Sequence, residues 1–374
     1  MLEKHLIIFA CIIGATIVPS VLVQANEDGH SDDFHHKLEL LLKGAPEPTK
    51  VFDEQMPGFD MRDDKFYYQD DLVDKMFKRS MFTNGLRTLA GQATDAYNWR
   101  VKDSSYPFAV GQKSAKPRGV QDDRWDVKDL DNGEVEFFAL YHGEGNHFVV
   151  NKVRAHLLRR VANELQRLVP ALDLSNQGVP AHHDDLVYEL HDEVRKSFEK
   201  VFHQVDEAIR DSMYETDDSW ASATVVMVTK SSIVTASVGE GQVLGYDEAY
   251  MIRRLTNYRD DQDAMNVFGA RKTRRGTALR PHVEIFSRVK DPMMMLLIES
   301  ASVAGNIKDY DVLQIISGEI NQHKRISQNE QAIYSNSVSR ILDRAQKEGS
   351  GKRGGPVDYT VALIGLDRDY ERMH

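Results

Sequence analysis

Hydrophobic positions change their period sharply at one place in the chain. Val135, Phe137, Ala139 and Tyr141 alternate with Glu136, Phe138, Leu140 and His142. That two-residue repeat, rich in aromatic side chains, predicts a strand buried on at least one face. Past Gly143 and Gly145 the repeat turns helical: Val150, Val153, Leu157, Val161, Leu165 and Leu168 recur every three or four positions. Residues of about 148 to 169 are therefore expected to form an amphipathic helix with Arg154, Arg159, Arg160 and Glu164 outward. Glycines let the backbone between the two elements turn tightly or approach a bound group, and His142, Glu144 and His147 gather ionisable side chains around them. Chemistry, if the chain has any, is expected there.

Further along, Leu186, Leu190, Val194, Phe198, Val201, Phe202, Val205 and Ile209 predict one long amphipathic helix over 184–213 with an acidic, solvated outer face. Segments 222–228 and 232–238, rich in Val, Ala and Thr and separated by Thr229, Lys230 and Ser231, predict a β-hairpin. Strands are expected within 242–255, 282–289 and 292–298, where Met293, Met294 and Met295 continue into Leu296, Leu297 and Ile298. Helices are expected over 309–323 and 329–346, a loop over 349–356 and a last apolar strand over 359–366. Upstream, an irregular apolar pattern suggests a helix over 71–93, and polar, glycine-containing sequence over 102–116 leads to a short strand ending at Trp125. Strands, two helices, strands, two helices and a strand do not alternate as βαβ units. The order predicts an α/β (α+β) sandwich of two antiparallel β-sheets flanked by α-helices.

Before residue 26 the pattern is of another kind. Lys4 precedes an apolar run from Leu6 to Val23, and Val23-Gln24-Ala25 places small residues where signal peptidase prefers them. Residues 1–25 are thus expected to be a signal peptide, with a membrane anchor facing the lumen as the alternative, although Pro19 and Ser20 interrupt the run. Glu27, Asp28, Asp32 and Asp33 follow it, so the body is expected to be secreted or in the lumen of the secretory pathway. Residues 26–105 form an N-terminal extension, partly helical, and residues 106–374 the main domain.

Composition narrows the function classes. A net charge of −11 and the lack of a Lys/Arg cluster interleaved with aromatics argue against nucleic acid as a partner. The one cysteine, Cys11, falls inside the predicted leader, so the mature chain is expected to have neither disulfides nor thiolate metal sites.

Six short blocks, in order, resemble those of the metal-dependent protein phosphatases, the PPM or type 2C family. Arg118 to Asp123 resembles an Arg-X-X-X-Glu-Asp block, and His142-Gly143-Glu144-Gly145-Asn146 resembles Asp-Gly-His-Gly-Gly. Ala221-Ser222-Ala223-Thr224 resembles Gly-Ser-Thr-Ala, and Ser237 to Gln242 resembles Asn-Val-Gly-Asp-Ser-Arg. Ile298-Glu299-Ser300-Ala301 resembles Ala-Ser-Asp-Gly, and Val357-Asp358-Tyr359-Thr360 resembles Asp-Asn-X-Thr.

The resemblance implies a site in which Asp carboxylates, a backbone carbonyl and waters hold two Mg²⁺ or Mn²⁺ ions, which activate the attacking water. Here the pattern is degenerate. His142, Ser300 and Val357 stand where three metal-binding aspartates are expected, and Glu144 stands for the family's histidine acid. Asp122 and Asp123 remain acidic, Gly143 could still offer its carbonyl, and Arg118 matches the phosphate-contacting arginine. The pattern is similar to that of the pseudophosphatase that binds the TGF-β-activated kinase, a cytosolic setting at odds with the leader. The resemblance thus implies a catalytically inactive pseudophosphatase: a regulatory or scaffolding module that binds another protein and needs no cofactor. The alternative is an active Ser/Thr protein phosphatase with a rebuilt Mn²⁺, Mg²⁺ or Zn²⁺ site drawn from Asp122, Asp123, His142, Glu144 and His147.

Overall fold

The computed structural model describes residues 106–114, 123–130, 135–145, 147–176, 184–213, 219–247, 249, 251–256, 266–270, 279–326, 330–349 and 358–366. It also describes three short strands, β1 (Leu6–Ile8), β2 (Val21–Val23) and β3 (Thr94–Trp99). Among the described residues β1 and β2 pair only with each other. The rest of the predicted leader and the helix expected over 71–93 lie outside the described residues, as do Arg118, Asp122 and Val357.

In chain order follow β4 (Phe108–Ser114), β5 (Arg124–Leu130), β6 (Val135–Glu144), α1 (Phe148–Leu165), α2 (Val169–Asn176), α3 (Asp184–Ser212), β7 (Trp220–Val228) and β8 (Ser232–Val238). Then come β9 (Gln242–Tyr246), β10 (Ile252–Arg254), β11 (His282–Ser287), β12 (Met295–Glu299), α4 (Ala301–Ala304), α5 (Asp309–Ile326), α6 (Glu330–Gly349) and β13 (Asp358–Gly365). One sheet has the order β10-β9-β12-β13-β4-β3, the other β11-β8-β7-β6-β5, and every pairing is antiparallel. The predicted sandwich of two antiparallel sheets with flanking helices is the fold observed.

Alternation along the strands builds three apolar layers. Phe137, Ala139 and Tyr141 of β6 and Val225 and Met227 of β7 pack with Val153, Leu157 and Val161 of α1 and with Val194, Phe198 and Phe202 of α3. The opposite faces, Phe138 and Leu140 of β6 and Val226 of β7, meet Phe108, Val110, Leu296, Ile298 and Ile364 between the sheets. Leu297, Val361 and Leu363 pack outward on Val312 and Ile316 of α5 and Val338 and Leu342 of α6. Burying a large apolar side chain is worth about 1.5–3 kcal/mol, so strands used on both faces carry the sandwich without disulfides.

The structure departs from the pattern in several places: the strand expected to end at Trp125 instead begins at Arg124 and runs on to Leu130. The sequence over 102–116 is no mere connection: β4 runs through it and lies inside the six-stranded sheet between β13 and β3. Gly111 at its centre has no side chain because α6 lies there; a Cβ would sit 2.4 Å from Val338 Cγ1. The helix expected to continue to about 169 ends at Leu165. Pro170 explains the break, since its ring would clash with the carbonyl four residues back, whereas the first turn of α2 accepts it.

At one end of the sandwich Arg288 ties the sheets together. Its Nη1 donates to Tyr106 Oη (2.9 Å) and the Thr229 carbonyl (2.6 Å), and its Nη2 to the Leu366 carbonyl (2.8 Å). The candidate site lies at the opposite end, where β6 and β12 finish and β7 and β13 begin.

Candidate active site

Four strands deliver the site. β6 carries His142 opposite Ser222 of β7 and Gly143 opposite Ala221. After Glu144, which is exposed, the chain turns at Gly145 with φ 90°. Only glycine takes that conformation cheaply, and a Cβ there would stand 2.9 Å from the Ser219 backbone. His147 then occupies the position before the first residue of α1, without a side-chain cap.

Asp123 immediately precedes β5, and its side chain is 1% exposed. Its carbonyl accepts from Gln112 Nε2 of β4 (3.2 Å) and from Arg124 Nη1 (2.8 Å), while Arg124 Nε reaches Asn151 Oδ1 on α1 (3.1 Å). Both carboxylate oxygens are also engaged. His142 Nδ1 bonds Asp123 Oδ1, and Thr360 Oγ1 of β13 donates to Asp123 Oδ2. A carboxylate only accepts, so the proton in the first contact belongs to Nδ1. Thr360 extends the chain of bonds: its N–H donates to Ser300 Oγ (3.1 Å), and its carbonyl accepts from the Ser300 N–H (2.9 Å). Ser300 flanks the N-terminus of α4 in an extended conformation and makes no side-chain cap, its Oγ instead receiving Thr360.

Burial works against a charged His142 imidazole. The Asp123 carboxylate, with Asp358 and Glu144 behind it, outweighs that cost and holds His142 above its ordinary value. Asp358 is fully buried on β13, and the His142 ring meets Trp220 edge-on at 6.0 Å.

Of the sequence-derived positions, Asp123, His142 and Ser300 are brought into one network, and Gly143 lies buried in the strand ladder beside them. Thr360 was legible only as part of a block, although it is the hub that joins Asp123 to Ser300. Gln112 lies in the strand that the pattern missed.

Two hard divalent ions need several free oxygen donors around each. Asp123 has both oxygens in internal bonds, His142 offers nitrogen, Ser300 is neutral, and Val357 has no donor. Among the described residues no three His, Cys, Asp or Glu side chains converge as metal ligands would. Among the described residues, which do not include Asp122, the donor set does not fit the paired metals that the resemblance implies.

A further buried carboxyl lies one residue before Ser300, on the other face of β12. Glu299 Oε2 accepts from Gln242 Nε2 (2.8 Å), while its Oε1 has no hydrogen-bond partner among the described residues. Gln242 Nε2 also approaches Asp309 Oδ1 (3.5 Å), whose Oδ2 accepts from Arg254 Nη2 (3.0 Å). Burial, aided by Asp309 and opposed by the Gln242 bond and Arg254, pushes Glu299 up to about 8.

No sequence-family model and no curated protein matches the chain. Solved structures do. A serine-threonine phosphatase 2C from Toxoplasma gondii superposes with TM-score 0.53 at 11% identity, over 74% of this chain and 99% of that one. A serine/threonine phosphatase from Staphylococcus aureus gives TM-score 0.44 at 13% identity, over 76% of this chain and 99% of that one. Identity this low shows the fold alone: the chain has the type 2C phosphatase fold.

Proposed function

We propose that the chain is a catalytically silent pseudophosphatase, a regulatory or scaffolding module that uses the type 2C fold to bind another protein. One observation carries the reading: the buried Asp123 carboxylate is consumed inside the protein by His142 and Thr360. Metal-assisted hydrolysis needs carboxylates that neutralise the ions and leave positions open for water. The substitutions at His142, Ser300 and Val357 remove that charge from three separate segments.

Purified protein is expected to release no phosphate from p-nitrophenyl phosphate or a phosphothreonine peptide in millimolar Mg²⁺ or Mn²⁺. Metal-dependent turnover that disappears in His142→Ala would overturn the reading and establish a rebuilt metal site.

A further inference from the structure

We propose that His142 has taken over the structural work of a metal at this end of the sandwich: the imidazole, built into the chain, closes the two sheets on each other through Asp123. The inference rests on the reading of the site as non-catalytic and adds what keeps the emptied site folded.

Connectivity carries it. His142 and Asp123 belong to the five-stranded sheet, on β6 and at the start of β5. Thr360 and Ser300 belong to the six-stranded sheet, on β13 and at the end of β12. The bonded series His142–Asp123–Thr360–Ser300 therefore crosses from one sheet to the other, with Gln112 of β4 contributing a second crossing to the Asp123 carbonyl.

Charge agrees with connectivity. A carboxylate 1% exposed needs a cation or several donors to remain there. An aspartate at 142 would place two carboxylates face to face and require an ion between them. Histidine at 142 supplies the donor, and serine at 300 turns a third acid into a neutral acceptor for the Thr360 N–H. At the opposite end Arg288 pins the sheets to neutral acceptors, so each end is fastened by a side chain of the protein itself.

The experiment is thermal unfolding of the full chain with chelator and with millimolar Mn²⁺, beside the phosphatase assay. Wild-type protein is expected to unfold at one midpoint in both. His142→Ala leaves the buried carboxylate without its principal partner and is expected to lower the midpoint by roughly 10 °C. His142→Asp is expected to fall similarly in chelator and to recover in Mn²⁺, whereas His142→Ala stays low. A wild-type midpoint raised by Mn²⁺, or a His142→Ala midpoint equal to wild type, overturns the inference. Should the variants fail to fold, proton NMR of the wild type decides. A far-downfield imidazole N–H resonance that persists in chelator supports the bond to Asp123, and its absence overturns it. Turnover by the wild type refutes the functional reading itself, whereas a silent wild type with an unaffected His142→Ala refutes only this inference.

Discussion

Asp123 and Glu299 are both carboxyl groups 1% exposed, and they lie at the same end of the sandwich, one bonded to Thr360 of β13 and the other the last residue of β12, yet their surroundings differ in kind. Asp123 has a donor on each oxygen, one of them an imidazole that its own charge holds above the ordinary value. Among the described residues Glu299 has a donor on one oxygen, none on the other, and Asp309 as its neighbour. Burial disfavours charge in both places, so what separates them is the supply of donors. Asp123 is part of a closed network that joins two sheets. Glu299 is kept as a neutral acid at pH 7, with its value at about 8.

Removing one donor from Asp123 should make it resemble Glu299. Thr360→Val keeps the shape of the side chain and leaves Oδ2 without its hydroxyl. The cost of an unsatisfied buried acceptor is about 1–3 kcal/mol, more when the group is charged, so denaturant unfolding at pH 7 is expected to show a loss of about 3 kcal/mol. A loss below about 0.5 kcal/mol would mean that His142 alone sustains the carboxylate, and the two sites would then differ by one cation rather than by a network.

A smaller effect is expected from Glu299→Gln, and it depends on pH. The folded value of about 8 lies above the ordinary 4.5. Glu299 therefore contributes stability that is fully present below about 4.5, declines as the unfolded chain ionises, and is gone once pH rises through about 8. Glutamine has no proton to lose. The variant is expected to match wild type near pH 5 and to exceed it by about 2 kcal/mol near pH 6.5, since each pH unit between the two values costs wild type about 1.4 kcal/mol. Equal pH curves for the two proteins would show that Glu299 does not titrate in this window.

Much of the fold could be read from period alone where a strand or helix keeps one face apolar. The row Leu190, Val194, Phe198, Val201, Phe202, Val205 and Ile209 was legible as α3, and the Val-rich pair around Lys230 as the β7–β8 hairpin. β4 was not, because two of its seven residues, Gln112 and Lys113, bring polar groups into a strand interior and Gly111 removes a side chain. Lys113 is nonetheless buried, with its Nζ on Asp343 Oδ1 of α6 at 2.7 Å. The site divides the same way. Position 123 was visible as a retained motif acid and positions 142 and 300 as altered ones, but their partners were not: Thr360 meets Asp123 across 237 residues of chain. Spacing along a sequence carries no trace of such a bond until the sheets are assembled. Glu299 was hidden for another reason, since a single acid at the end of an apolar run reads as the edge of the strand rather than as a buried group.

The smallest expected effect separates the two causes that act on Glu299. Burial is the larger and Asp309 adds to it, while Arg254 pulls the other way. Asp309→Asn removes the adjacent charge but keeps the shape, and it also frees Arg254, whose Nη2 now bonds Asp309 Oδ2. Both changes favour an ionised Glu299, so the midpoint of the pH-dependent loss of stability is expected to move down. The Asp309 side chain is 28% exposed and Arg254 52% exposed, and solvent screens charges placed that way. The shift should therefore be a fraction of a pH unit, read as the displacement of the stability-against-pH curve relative to wild type, with Glu299→Gln as the flat reference. No displacement would assign the raised value to burial alone. A displacement of more than one unit would mean that the two carboxyl groups share their proton, and Glu299 would then be half of a coupled acid pair rather than an isolated buried acid.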